Sequence, residues 1–242
     1  MRLEKGRIRL YLADIRPLLE EKAQRCVYQR MDEERRQKAD GCKVPGVRAA
    51  SLGVGFLAQY ALEKNGYEDC CVCYHAGGQP FVRKKSARNA ALEPAESPAY
   101  ISLSHSGDYA VCALAAVPVG VDIQKKEPIR AVMLRHFFCE AERLEFEKRH
   151  ELPKSGLRNK EPVFLPDKAA EEFLRLWTAK ESFMKLTGEG MAMGFANLSA
   201  DLEEGLIREK GGLQRVGFIR EYKAPEEYYL TACIGKRSGI LS

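Results

Sequence analysis

The chain has 242 residues, with 39 Lys and Arg against 34 Asp and Glu, a formal net charge of +5 and 45% hydrophobic residues. At roughly 150 residues per domain this makes one large domain or two small ones, either with core enough to need no disulfide or structural metal. Its hydrophobic share excludes wholesale disorder and fibrous classes. The small positive surplus fits a local basic site for an anionic ligand better than a dedicated nucleic-acid surface.

Residues 1–7 carry charges with no apolar stretch behind them, unlike a secretory signal. The longest apolar run, residues 111–119, contains Pro118 and is about half the ~20 residues of a membrane span. The reading is a cytoplasmic protein with no membrane partner. Eight cysteines include Cys70-Cys71-Val72-Cys73, with His75 close by. A zinc site would need a second matching pair; the alternation of Cys71 and Cys73 about Val72 reads as small thiols on a half-buried strand in a reducing compartment.

In chain order, residues 8–12 alternate as an opening strand, and residues 16–36 read as one helix. Pro45 opens a longer helix through Lys64, with Ala50, Val54, Leu57 and Ala61 as its core stripe and Asn65-Gly66 as its stop. A strand at residues 70–74 precedes the turn Gly77-Gly78-Gln79-Pro80, and residues 83–98 read as a polar loop. Residues 100–104 and 109–116 form paired strands around Ser106-Gly107-Asp108. A strand at 119–123, a short helix near 140–149 and a polar stretch at 151–167 come next. A strong helix spans about 167–186, ended by Gly188 and Gly190, and strands at 216–220 and 228–233 close the chain. Both halves run strand, long helix, strands. The fold class expected is α+β, as two similar α+β subdomains, residues 1–118 and 119–242, with no residue-level repeat.

Three clusters carry candidate chemistry. In Gly120-Val121-Asp122-Ile123-Gln124 the side chains of Asp122 and Gln124 share one strand face. Read alone, Asp122 is better explained as a strand-end residue capping the next turn. In Trp177-Thr178-Ala179-Lys180-Glu181-Ser182-Phe183-Met184-Lys185, residues 177, 181 and 185 lie one turn apart. An exposed Glu181–Lys185 pair would contribute only ~0.3–0.5 kcal/mol. The single tryptophan beside it argues for partial burial, and a buried Glu facing a second carboxylate makes a hard-cation site. In Ser102-Leu103-Ser104-His105-Ser106 there is no serine-hydrolase elbow; a hydroxyl and an imidazole at a strand-to-turn junction suit a phosphate, and read alone an ordinary polar turn explains them equally well.

Taken together and in this order, Ser-His-Ser, Gly-Val-Asp-Ile-Gln and Trp-Thr-x-Lys-Glu-Ser-x-x-Lys resemble the 4′-phosphopantetheinyl transferases. The match is to their long, pseudo-dimeric type (the surfactin-synthetase-activating type), which serves nonribosomal peptide and polyketide systems. The resemblance reaches from about Arg48 to Gly190 and includes Gly78-Gln79-Pro80, similar to the family's Gly-Lys-Pro turn.

This resemblance implies a pseudo-twofold between the two halves and coenzyme A in the cleft between them. The activity implied is transfer of the phosphopantetheine arm to a serine of an apo acyl or peptidyl carrier protein, releasing 3′,5′-ADP. It implies Mg²⁺ on Asp122 and Glu181, with Gln124 contributing weakly or through water where many members carry Glu. Glu181 would also be the base, and Lys185 would meet the α-phosphate side, so the catalytic set is Asp122, Glu181 and Lys185. Ser104 and His105 match residues at the 3′-phosphate, Arg48 and Arg36 fall at basic or nucleotide-contacting places, and Gly78, Gln79 and Pro80 line the coenzyme pocket. Glu142 is left as surface charge or a helix-start contact. The protein expected is a monomer. Its partners would be coenzyme A and a carrier protein, with no nucleic acid, since Arg83-Lys84-Lys85 and Arg88 lack interleaved aromatics. The rival is a module of the same fold that binds coenzyme A or a carrier without catalysis.

Overall fold

The computed structural model describes residues 7–87, 97–152, 162–210 and 215–235. The expectations for residues 1–6, for the loop at 88–96 with Arg88, and for the polar stretch at 153–161 lie outside the described residues.

The architecture is α+β, with two antiparallel sheets and a hairpin. The first sheet has the order β1-β5-β4, from β1 (Ile8–Asp14), β4 (Tyr100–Ser106) and β5 (Tyr109–Ala115). The second has the order β6-β10-β9-β8-β7, from β6 (Val119–Lys125), β7 (Leu198–Asp201), β8 (Leu206–Glu209), β9 (Val216–Tyr222) and β10 (Tyr228–Gly235). β2 (Cys70–Tyr74) and β3 (Pro80–Lys84) form the hairpin. Thus Arg83 and Lys84, expected in a loop, pair with Cys71 and Cys70.

The helix expected over residues 16–36 is broken. Pro17 sits in a 3-10 turn, Glu20 is extended, and α1 (Glu21–Arg30) then stops at Met31, which is extended as well. Asp32 starts a new helix, α2 (Glu33–Asp40), by accepting the Arg35 amide proton. Helical periodicity continued through the break, but the capping carboxylate sets a separate axis.

Helix α3 (Pro45–Lys64) begins with Pro45 in its first turn and buries Ala50, Val54, Leu57 and Ala61 against the first sheet and Cys70 and Val82 of the hairpin. Asn65 closes it by donating to the Ala61 carbonyl and to Tyr11 Oη, both at 2.6 Å. On the second sheet lies α6 (Asp167–Thr187), whose Ala179, Phe183 and Met184 pack on Leu198, Ile207, Ile219 and Cys233. The short helices α4 (Met133–Phe137) and α5 (Glu140–Arg149) join α6 in an aromatic cluster, where Trp177 stacks on Phe137 and Phe195. A fourth cluster, with Val111, Ala113, Val121, Ile123 and Ala232, joins the two sheets. No helix among the described residues is long and apolar enough to cross a membrane.

One contact sets the depth of α6. A Cβ at Gly120 would overlap the backbone carbonyl of Ser182 and crowd the Leu186 amide, so β6 and α6 touch backbone to backbone. Gly120→Ala has no side-chain end to push aside and must separate the two elements. It is expected to lower the unfolding free energy by about 1–3 kcal/mol or more in urea titrations. Gly46→Ala, with no atom within 4 Å of the added carbon, is the control and should be neutral or stabilising.

Candidate functional site

The candidate active site is built on a seam of serines. β6 is an edge strand, and the N–H groups of Val121, Ile123 and Lys125 point away from β10 toward β4. Ser102, Ser104 and Ser106, alternating on β4, answer them: each Oγ accepts one of these protons, at 3.0, 3.5 and 3.0 Å. This fixes Ser104 beside Asp122. Ser104 Oγ donates to Asp122 Oδ1 at 2.7 Å and accepts from Lys185 Nζ at 2.8 Å, while Lys185 Nζ also donates to Asp122 Oδ1 at 2.6 Å. The crowding of Ser104 with better partners accounts for its long bond to Ile123.

Asp122 is only 5% exposed. Its Oδ1 takes two donors, while Oδ2 is buried with no partner. Glu181 sits one helical turn before Lys185 and is half-buried. Burial first, and then the negative charge of Asp122, push its carboxyl above the usual range, with Lys185 opposing. The simple Glu181–Lys185 pair along the helix does not form among the described residues; Lys185 reaches across to Asp122 instead. Gln124 follows on the face of Asp122, half-buried.

His105 stands on the opposite side of β4 from Ser104, accessible at the surface where Ser104 is buried. Its imidazole is held below its ordinary pKa by burial, then by the charge of Lys185, and further by Arg35 and Lys38, with Asp122 opposing. Three cations therefore act on one imidazole. Arg35 is 7% exposed and lies over the Tyr74 ring at 5.0 Å; Lys38 lies over the same ring at 4.6 Å. Arg35 and Tyr74 also line a cavity of about 340 Å³ between Met31, Leu62 and Val72.

The structure brings Asp122, Lys185 and Ser104 into contact and sets Glu181 and His105 within the field of their charges, but does not bring Arg36 or Arg48 among them. Arg36 donates to the carbonyls of Tyr28 and Gln29, tying α2 to α1. Arg48 is paired with Asp40 at 3.0 Å and donates to the Ala39 carbonyl and Gln24. Sequence reading passed over Arg35 and Lys38, three apart and hence neighbours on one face of α2; placing a helix start at Asp32 would have exposed that spacing. Gly78 and Pro80 flank Gln79 in the hairpin turn, where Gly78 has a φ of +83°. Gln79 Nε2 donates to the carbonyls of Lys185 and Leu186 at 3.2 and 3.5 Å.

The sequence profile of the 4′-phosphopantetheinyl transferase superfamily matches residues 118–233, the stretch that supplies Asp122, Gln124, Glu181 and Lys185. The match covers just under half of the chain. Among similar curated proteins is a 4′-phosphopantetheinyl transferase of Bacillus subtilis, 32% identical over 142 residues, 58% of this chain and 57% of that protein. Sfp of Bacillus subtilis strain 168 is 28% identical over 137 residues, covering 56% of this chain and 54% of its own. HetI of Nostoc is 32% identical over 123 residues, 49% and 42% of the two chains. The chain spans about half the length of the curated relatives it matches.

Behind Glu181, Lys180 is buried at 1% exposure. Its ammonium donates to the carbonyls of Phe137 and Phe195, lies over the Phe137 and Phe138 rings, and faces Glu142 Oε2 at 3.7 Å. Glu142 is thus both a helix-start contact, accepting the Cys139 amide proton at 3.3 Å, and the charge partner of Lys180 and Lys210. Burial, the largest effect, pulls Lys180 down to about 8, with Glu142 opposing. Between that value and the ordinary lysine value of 10.5, the unfolded chain holds a proton that the folded chain releases. Stability from this group therefore rises with pH across that window and is lost as pH falls through about 8. Urea titrations from pH 7 to 10.5 should show the wild type gaining on Lys180→Met as pH rises; a constant difference would refute the assignment.

Proposed function

We propose that this chain is a 4′-phosphopantetheinyl transferase, moving the phosphopantetheine arm of coenzyme A to a serine of an apo acyl or peptidyl carrier protein and releasing 3′,5′-ADP. The observation that supports it most is the meeting of a buried carboxylate with a free oxygen, a second carboxylate of raised pKa and a lysine, all beside His105 and two further cations. In this reading residues 1–118 and 119–242 form the two walls of the coenzyme cleft. The enzyme acts as a cytoplasmic monomer, with neither nucleic acid nor membrane as a partner.

Each group has a task that its surroundings suit. His105, Arg35 and Lys38 bind the 3′-phosphate, whose charge relieves their mutual repulsion. Lys185 spends two of its three N–H donors on Asp122 and Ser104 and keeps the third for the pyrophosphate, where it stabilises the leaving group. Glu181, with affinity for a proton raised toward the working pH, takes the proton of the attacking carrier serine.

The residues also fit a divalent cation. Asp122 Oδ2 is a buried acceptor without a donor, and Glu181 is held in the field of Asp122. Among the described residues no third His, Cys, Asp or Glu joins them, leaving Gln124 or water for what remains, as Mg²⁺ tolerates. When bound, Mg²⁺ would neutralise charge on the pyrophosphate.

The deciding experiment incubates the full chain with coenzyme A, Mg²⁺ and an apo carrier protein and reads the carrier's mass. Wild type should add the pantetheine arm, and Glu181→Ala should be slower by about a hundredfold or more. Absence of transfer to every carrier tested favours the non-catalytic binding module, which the uncharged Gln124 keeps in play. Transfer surviving Glu181→Ala overturns the site. Separately, Gln124→Glu is expected to tighten Mg²⁺ binding severalfold in a direct titration; equal or weaker affinity refutes a metal-facing role for position 124.

A further inference from the structure

We infer that Gln79 is a positioning residue for this reaction, an amide cap that holds the last turn of α6, and so Lys185, against the hairpin of the first half. As a statement about the reaction this rests on the transferase reading; as a statement about the helix it does not.

The end of a helix leaves carbonyls with no donor of its own. In α6 the Met184 carbonyl is taken by the Gly188 amide and by Thr187 Oγ1, both at 3.1 Å. The next two carbonyls, those of Lys185 and Leu186, receive their donor from another part of the chain, Gln79 Nε2. Gly188 makes the approach possible in two ways. Its φ of +76° is the left-handed end that glycine adopts without strain, and any side chain there would overlap the Gln79 amide.

The turn that presents Gln79 is itself closed. The His75 amide donates to the Gln79 carbonyl at 3.0 Å, the Gly78 amide donates to the His75 carbonyl at 2.8 Å, and the His75 ring stacks on Phe81 at 4.4 Å. A rigid turn therefore grips the residue whose ammonium holds Asp122. Without that grip, the Lys185 and Leu186 carbonyls lose their donor, and the last turn is held only by the Gly188 amide, Thr187 and the Gly120 contact. Gln79 thus acts on the coenzyme through Lys185 rather than by touching it, and it does so with no net charge of its own.

The test compares wild type with Gln79→Ala, with Gln79→Asn, which is too short to reach, and with Gln79→Lys, which restores a donor. In the ligand-free protein, amide exchange over residues 184–188 should quicken by roughly threefold or more in the Ala and Asn variants and return toward wild type in Gln79→Lys. With coenzyme A and an apo peptidyl carrier, the Ala and Asn variants should lose kcat severalfold while KM for coenzyme A stays within about twofold. Unchanged exchange in Gln79→Ala, or a raised KM with kcat intact, overturns the inference. Should the wild type transfer nothing, the functional reading fails, and exchange still decides whether Gln79 holds the helix. Should Gln79→Ala unfold, Gln79→Asn and Gln79→Lys decide by the same exchange measurement.

Discussion

The register between β4 and β6 is the constraint on which the site depends. Three serine hydroxyls take the place that strand carbonyls would occupy, so two sheets are joined without a shared backbone ladder. A hydroxyl accepts one bond and can give another, which a carbonyl cannot. Ser104 uses this freedom to lock Asp122 and Lys185 together while it faces β6. A slip by one residue would turn these hydroxyls to the other face, and Asp122 would lose the bond that leaves its second oxygen free.

Around that seam the charges are arranged by burial. Asp122 is bonded on one oxygen only, burial first raises the Glu181 carboxyl, and desolvation first, then Lys185, Arg35 and Lys38, lower the His105 imidazole. A cluster of like charges in a partly dry site disfavours the empty state. An anion at His105 and a cation at Asp122 would each lower that cost. Lys180 plays the opposite part: its ammonium is enclosed by carbonyls, rings and Glu142, which hold the face of α6 that turns away from the site.

Much of this was legible in the residues, for local reasons. The strands around Gly107, the helix opened by Pro45 and the helix carrying Trp177 follow periodicity and caps that lie within a few residues. The grouping of Asp122 with Glu181 and Lys185 came from the family resemblance, since Asp122 and Lys185 lie 63 positions apart. What escaped depends on distant partners. Residues 16–36 look uniformly helical until Asp32 is seen to cap a second helix, and only that axis turns Arg35 inward and sets Lys38 over the same Tyr74 ring while Arg36 faces α1. The serines read equally as a phosphate contact or an ordinary polar turn, because the backbone they bond lies 19 positions away. Gln79 read as a pocket residue, because the helix end it caps is 106 positions away.

The missing side chain at Gly120 has one more consequence. Where β6 meets α6, the separation is set by the excluded volume of two backbones, and no packed side chain lies between them to be exchanged for another. Phe183 and Met184 pack on β7 to β10 rather than on β6, so substitutions there can loosen or tighten the core while the Gly120 contact still sets how far Glu181 and Lys185 stand from Asp122. The molecule separates the tolerance of its interior from the accuracy of its site, so sequence drift in one need not be felt in the other.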